Sequence, residues 1–182
     1  MALDKRPSAT MLFIFGGSGD LNYRKLTPAL YNLFLDGFMP ENFSIMGLAR
    51  SELSEDKYKK HLLEGVQLFS RRKEGKNGHW KSFSDNISYI QMDASEEPAY
   101  EKIQKAVKEK QKQWGAHPNV VFYLAVAPQL VPVIARHLGK LNICSDTKFT
   151  RIVVEKPFGH DLKSAHELNK LLMGIFSEEQ IY

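Results

Sequence analysis

Met11-Leu12-Phe13-Ile14-Phe15-Gly16-Gly17-Ser18-Gly19-Asp20-Leu21-Asn22 is the stretch whose reading decides the fold. Its apolar opening, Met11 to Phe15, reads as a strand buried on both faces, because no polar residue alternates with the apolar ones. A glycine-rich turn follows at once. Leu26, Leu30, Leu33 and Phe34 then form an apolar stripe at helical spacing, and Asp36-Gly37 supplies a stop before Pro40. In a strand–turn–helix unit of this kind the first glycine allows the tight turn and the next lets backbone approach a pyrophosphate. The helix N-terminus adds unpaired N–H groups and a partial positive charge. Gly16 and Gly19 fit those two roles. The third position of the dinucleotide fingerprint falls on Asn22 instead of Gly or Ala, which predicts looser packing of helix on sheet there. Pro28 lacks an N–H and crowds the preceding turn, so the helix is expected to kink or to begin irregularly.

The same alternation continues outward. Apolar runs recur at Phe43–Ala49, Ile87–Met92, Val120–Val126 and Arg151–Glu155, each followed by a helical segment. Strands without polar alternation, separated by helices, imply a parallel sheet covered on both faces, a doubly wound α/β fold. The second helix is expected from Ser54, its cap, to about Ser70, and residues 71–78 read as a solvated loop. Ile103, Val107 and Trp114 mark the buried face of the helix after the third strand. Its lysines (102, 105, 108, 110 and 112) are interrupted by Glu101 and Glu109 and lack interleaved aromatic residues, so they read as a solvated face and not as a nucleic-acid patch. The last helix opens on Asp161, with Leu162, Ala165, Leu168, Leu171 and Leu172 as its buried stripe. Residues 1–9 read as a loose tail and 10–182 as one domain.

Composition excludes several classes. The chain has 182 residues, 25 Lys+Arg against 21 Asp+Glu, and one cysteine. A chain of this length removes roughly 70% of its unfolded surface from water, so it needs no disulfide or metal staple. Cys144 has no partner and no Cys/His cluster has zinc spacing, which argues for a reducing, cytoplasmic setting and against a structural metal. Near the start, the apolar run Met11 to Phe15 is too short for a signal-peptide core, and nowhere are there about 18 consecutive apolar residues to span a membrane.

The cofactor preference depends on the end of the second strand. NAD-selective folds place an acidic residue there to accept from the ribose 2′-hydroxyl. Asp36 has about the right spacing but lies at the end of the first helix, whereas the strand finishes at Ala49-Arg50-Ser51. Arg50 can grip a 2′-phosphate through two charge-assisted hydrogen bonds, and the Ser18 and Ser51 hydroxyls can donate to the same group. NADP is therefore expected over NAD. A further constellation is Glu155-Lys156-Pro157-Phe158-Gly159, where a strand ends on a lysine at the sheet edge that binds ligands in open α/β folds. Ala127-Pro128 ends the fourth strand with a similar turn facing the cofactor.

Taken together, Gly16-Gly17-Ser18-Gly19-Asp20-Leu21, Gly47-Leu48-Ala49-Arg50, Tyr123-Leu124-Ala125-Val126-Ala127-Pro128 and Glu155-Lys156-Pro157-Phe158-Gly159 resemble the amino-terminal domain of the glucose-6-phosphate dehydrogenases, from about Met11 to Tyr182. The resemblance implies a Rossmann-type sheet of strand order 3-2-1-4-5, with a sixth strand barely begun at Gln180 and the fifth left as an exposed edge. It implies oxidation of glucose 6-phosphate to 6-phosphogluconolactone with hydride passing to NADP⁺, at the entry to the pentose phosphate pathway. By position, Gly16, Gly17, Ser18, Gly19, Asp20 and Leu21 would bind the pyrophosphate and Arg50 the 2′-phosphate, beside Ser51. Asp93 and Ala94 would line the adenosine region, and Lys156 would lie between cofactor and substrate. The family's sugar-phosphate ligands and its general-base histidine belong to a following segment and a large β+α domain, through which the family also forms homo-oligomers. No catalytic residue is therefore expected within these residues, and the chain alone is expected to bind NADP without turnover. Oxidoreductases of the glucose–fructose type are a less fitting comparison, since they reach Glu-Lys-Pro much earlier; a non-catalytic NADP-binding module is the rival of another class.

Overall fold

The computed structural model describes residues 7–72, 78–159 and 161–182. Five parallel strands, β1 (Thr10–Phe15), β2 (Phe43–Ala49), β3 (Ile87–Gln91), β4 (Asn119–Leu124) and β5 (Thr150–Val154), lie in the order β3-β2-β1-β4-β5. The helices are α1 (Thr27–Leu35), α2 (Glu55–Phe69), α3 (His79–Ser84), α4 (Glu101–Trp114), α5 (Val131–Gly139) and α6 (Leu162–Met173). Side-chain alternation along β1 explains its continuous apolar sequence. Met11, Phe13 and Phe15 join a core built with α4, α5 and α6, while Ile14 joins a second core with Tyr31, Tyr58 and Phe83 on the opposite face. Both faces being covered, each fully buried side chain contributes about 1.5–3 kcal/mol of transfer free energy. This is the Rossmann-type arrangement, and the strand order reverses beside β1, which opens a crevice at the carboxyl ends of β1, β2 and β4.

The first helix begins irregularly, as Pro28 predicts. Residues Asn22–Leu26 form a π-helical turn that runs on into α1, and Pro28, which has no N–H to donate, occupies the first turn of α1. Ser54 caps α2 by accepting from the Lys57 amide at 3.3 Å. Asp161 and Ser164 form a reciprocal capping box at the start of α6. Of the 71–78 loop, residues 73–77 lie outside the described residues, as do His160 and most of the 1–9 tail.

Four expectations are corrected. Leu33 and Leu162 do not belong to buried stripes: they are 43% and 76% exposed, because the stripes of α1 and α6 are narrower than their apolar spacing suggests. The short helix α3 has no counterpart in the sequence reading, six residues being too few to show a helical period. The outer edge of β5 is partly covered. Ile181 bridges Ile152, the Tyr182 amide donates to the Ile152 carbonyl at 2.9 Å, and the Val154 amide donates to the Tyr182 carbonyl at 2.9 Å. The buried Gln180 amide anchors this segment by donating to the Cys144 and Thr150 carbonyls. The packing at Asn22 is the fourth. Among the described residues no helix is long and apolar enough to cross a membrane.

Candidate cofactor site

The turn after β1 is shaped by close backbone approach. Gly16 has a φ of +78°, and a Cβ there would overlap the Ala125 carbonyl oxygen of the neighbouring β4 end. Gly17 sits against β2, where an added Cβ would lie 2.5 Å from the Gly47 Cα, so two backbones touch where the fingerprint's third glycine would otherwise bring helix to sheet. The Gly16 and Gly17 amides both donate to the Leu48 carbonyl, at 2.9 and 3.0 Å, and the Gly19 amide to the Gly16 carbonyl at 2.8 Å.

Asn22 is fully buried and completes this packing instead of loosening it. Its side-chain amide donates to the Gly17 carbonyl at 2.7 Å and to the Tyr58 hydroxyl at 3.0 Å; Tyr58 in turn donates to the Gly17 carbonyl at 3.2 Å. The Thr27 hydroxyl donates to the Asn22 carbonyl oxygen at 2.9 Å. Burial raises the Tyr58 pKa far above its ordinary range, so Tyr58 stays neutral and keeps its proton for Gly17. Each polar atom of this network has a partner, which is what makes its burial tolerable.

A cavity of about 540 Å³ opens over the turn, within the ordinary size range of small-molecule sites. Gly16, Ser18, Gly19, Arg50, Ser51, Asp93 and Ala94 all line it, together with Phe15, Leu48 and Met92. Thus one cavity gathers seven of the residues singled out from sequence. Gly17 lies beneath it. Asp20 is exposed and pairs with Arg24 at 3.7 Å, and Leu21 stands beside it at the helix entry, both outside the wall. Lys156 is exposed past the end of β5, immediately before the cis bond to Pro157, and does not line the cavity. Asp36 caps α1 and pairs with Arg72 at 2.5 Å, away from this wall.

Arg50 leaves the end of β2 into the cavity, and the Ser18 and Ser51 hydroxyls stand 3.4 Å apart beside it. Hydrogen bonds from the Ser95 hydroxyl (2.7 Å) and amide (2.9 Å) hold the Asp93 carboxyl below the usual carboxylate range, and the Arg50 guanidinium acts in the same direction. Ser95, Ala125, Val126, Ala127 and Leu130 complete the wall. Ser95 and Leu130 have no counterpart among the residues expected from sequence, since a serine or a leucine past a strand end carries no mark of its own.

The remaining constellation stands at β5. Tyr123 donates to the Glu155 carboxylate, and burial together with that carboxylate pushes the Tyr123 phenol up to about 12. None of the described histidines lines the cavity. His61 stacks on Tyr23, His117 lies 3.8 Å from Asp146, His137 packs on Tyr100, and His166 is exposed on α6.

Residues 13–182 match the family model described as "Glucose-6-phosphate dehydrogenase, NAD binding domain". The chain belongs to that family. A nicotinamide cofactor is what such a domain holds, and the glycine turn, the helix entry and the cavity agree in position with that role. The chain is 36% identical over 169 residues to the glucose-6-phosphate 1-dehydrogenase of Rhizobium meliloti, covering 93% of this chain and 33% of that one. With the enzyme of the same name from Bacillus subtilis it shares 31% over 182 residues, covering 100% and 36%. A solved glucose-6-phosphate dehydrogenase in complex with its substrate glucose 6-phosphate superimposes with a TM-score of 0.84 at 33% identity, over 100% of this chain and 37% of that one. The glucose-6-phosphate 1-dehydrogenase of Mycobacterium avium gives 0.81 at 27% identity, over 96% and 36%. The chain therefore spans only about a third of the length of these relatives.

Proposed function

We propose that the chain is the coenzyme-binding part of an NADP-dependent glucose-6-phosphate dehydrogenase, an oxidoreductase of carbohydrate metabolism. The observation that carries the preference for NADP is Arg50 at the carboxyl end of β2, beside two serine hydroxyls 3.4 Å apart and on the wall of the cavity that the glycine turn shapes. A guanidinium and two hydroxyls supply donors to a 2′-phosphate, and the position holds no carboxylate to accept from a 2′-hydroxyl. The backbone turn Gly16–Gly19 and the helix entry suit the pyrophosphate, with Asp93 and Ala94 beside the adenosine.

NADP⁺ supplies a hydride acceptor when bound; the residues of this chain bind and orient it. Oxidation of the anomeric carbon breaks its C–H bond, the hydride going to the cofactor, and needs a base for the hydroxyl proton. On this reading the chain by itself binds cofactor without turnover, and Lys156 is assigned to the boundary between cofactor and sugar phosphate. Cys144, buried with its thiol pushed up to about 12, is an inert thiol compatible with the cytoplasm.

The test is a titration of the purified chain with NADP⁺ and NAD⁺. Tighter binding of NADP⁺ is expected, with Arg50→Ala removing most of the difference and with no NADPH appearing on addition of glucose 6-phosphate. An unchanged ratio of affinities in Arg50→Ala defeats the NADP assignment, and measurable NADPH defeats the assignment of catalysis to residues outside this chain.

A further inference from the structure

The Arg50 side chain is exposed, yet the backbone that carries it is held at two points by side chains from the neighbouring strand. The Tyr89 hydroxyl lies 2.6 Å from the Ser51 carbonyl and 3.3 Å from the Ala49 carbonyl, one on each side of Arg50. The Gln91 side-chain amide donates to the Arg50 carbonyl itself at 3.2 Å. Turns past strand ends ordinarily satisfy such carbonyls with water. Here two β3 side chains supply donors: the single Tyr89 proton goes to the nearer Ser51 carbonyl and the Gln91 amide to Arg50, while the Ala49 carbonyl accepts from the Met92 backbone amide at 2.9 Å.

Tyr89 is also tied into the glycine turn. Its ring packs on Tyr58 with centroids 4.7 Å apart, and Tyr58 donates to the Gly17 carbonyl. Its phenol also meets the Ser18 hydroxyl, which in turn faces Ser51. One side chain thus contacts both elements that must converge on a 2′-phosphate: the serine of the glycine turn, and the backbone on either side of the arginine.

We infer that Tyr89 is a positioning residue for cofactor selectivity, its hydroxyl fixing the Ala49-Arg50-Ser51 turn so that the guanidinium and the Ser18–Ser51 hydroxyl pair face one phosphate. The inference rests on the NADP assignment above. Tyr89 donates through its hydroxyl to the backbone and need not touch the cofactor. Without that bond the turn samples other shapes, and a flexible arginine loses more freedom on gripping a phosphate. NAD⁺, which has no 2′-phosphate, draws nothing from this arrangement.

Tyr89→Phe keeps the ring and its packing on Tyr58 and removes only the hydroxyl. The full 182-residue chain, the variant and Arg50→Ala are titrated with NADP⁺ and with NAD⁺, and thermal unfolding is recorded for each. The loss of one neutral hydrogen bond predicts an NADP⁺ dissociation constant raised about fivefold. The NAD⁺ constant is expected to stay within about twofold, so the ratio of the two falls. Added to Arg50→Ala, the Tyr89→Phe change is expected to have no further effect on the ratio, since the group it positions is gone. Equal weakening of both cofactors, or an unchanged ratio in Tyr89→Phe while Arg50→Ala collapses it, overturns the role of Tyr89. An unchanged ratio in Arg50→Ala, or a wild-type chain that binds neither cofactor, overturns the NADP assignment and the inference with it.

Discussion

The two halves of the sheet meet the crevice differently. On the β1–β2–β3 side, backbone meets backbone at Gly17 and Gly47, a fully bonded network holds Asn22 and Tyr58 beneath the turn, and the side chains past the strand ends line one cavity. On the β5 side, the polar residues past the strand end pair with a neighbouring strand, as Glu155 does with Tyr123 of β4, or project into solvent, as Lys156 does. The first half is built to hold an anionic ligand with the residues it has. In the second, neither Glu155 nor Lys156 lines that cavity. On the proposed function, the difference separates the side that would bind the adenosine and phosphates from the side that would face the substrate.

The comparison is broken most severely by inserting matter where the backbones touch. Gly17→Ala places a methyl 2.5 Å from the Gly47 Cα and 2.8 Å from the Leu48 amide nitrogen, neither of which can rotate away. The cost is expected at about 3 kcal/mol of stability, the upper end for an overpacked site, with cofactor binding lost alongside. Urea unfolding and an NADP⁺ titration measure both. A variant with wild-type stability would mean that β1 and β2 separate freely here and that the first half is not preorganised.

Asn22→Ala tests the network instead of the contact. Removing the side chain leaves the Thr27 hydroxyl without its acceptor and the Gly17 carbonyl with Tyr58 alone, a loss of about 1–3 kcal/mol. That corresponds to roughly 2–12 °C in melting temperature for a domain of this size. NADP⁺ and NAD⁺ are expected to weaken by the same factor, because the pyrophosphate is common to both. A change in their ratio would instead couple Asn22 to the 2′-phosphate.

These positions also show what was legible in the sequence. The strands were, since both faces of the sheet are buried and Met11 to Phe15 carries no polar interruption. The meeting of Gly16, Gly19 and Arg50 on one cavity wall was, because it follows from chain order: turn after strand, charge at strand end. Asn22 was misread because the fingerprint assigns its position to close packing, and Gly17 against Gly47 carries that packing instead. The contacts that explain it span 36 residues to Tyr58, and no local pattern announces them. Tyr89 reads locally as one more aromatic in a strand; its bonds to the Arg50 turn appear only when β3 is laid beside β2.

The smallest effect is expected at Lys156. Its side chain is exposed and off the cavity wall, so Lys156→Ala is expected to leave the NADP⁺ affinity of this chain within about twofold. A lysine held away from the phosphates acts on them only through solvent, where a charge is screened within about 8 Å at physiological ionic strength. The same titration that reports on Arg50 measures it. A tenfold loss would place the Lys156 ammonium against the bound cofactor and erase the distinction between the two halves. An unchanged affinity fits the proposed placing of Lys156 toward the sugar phosphate, whose anionic group its charge would match.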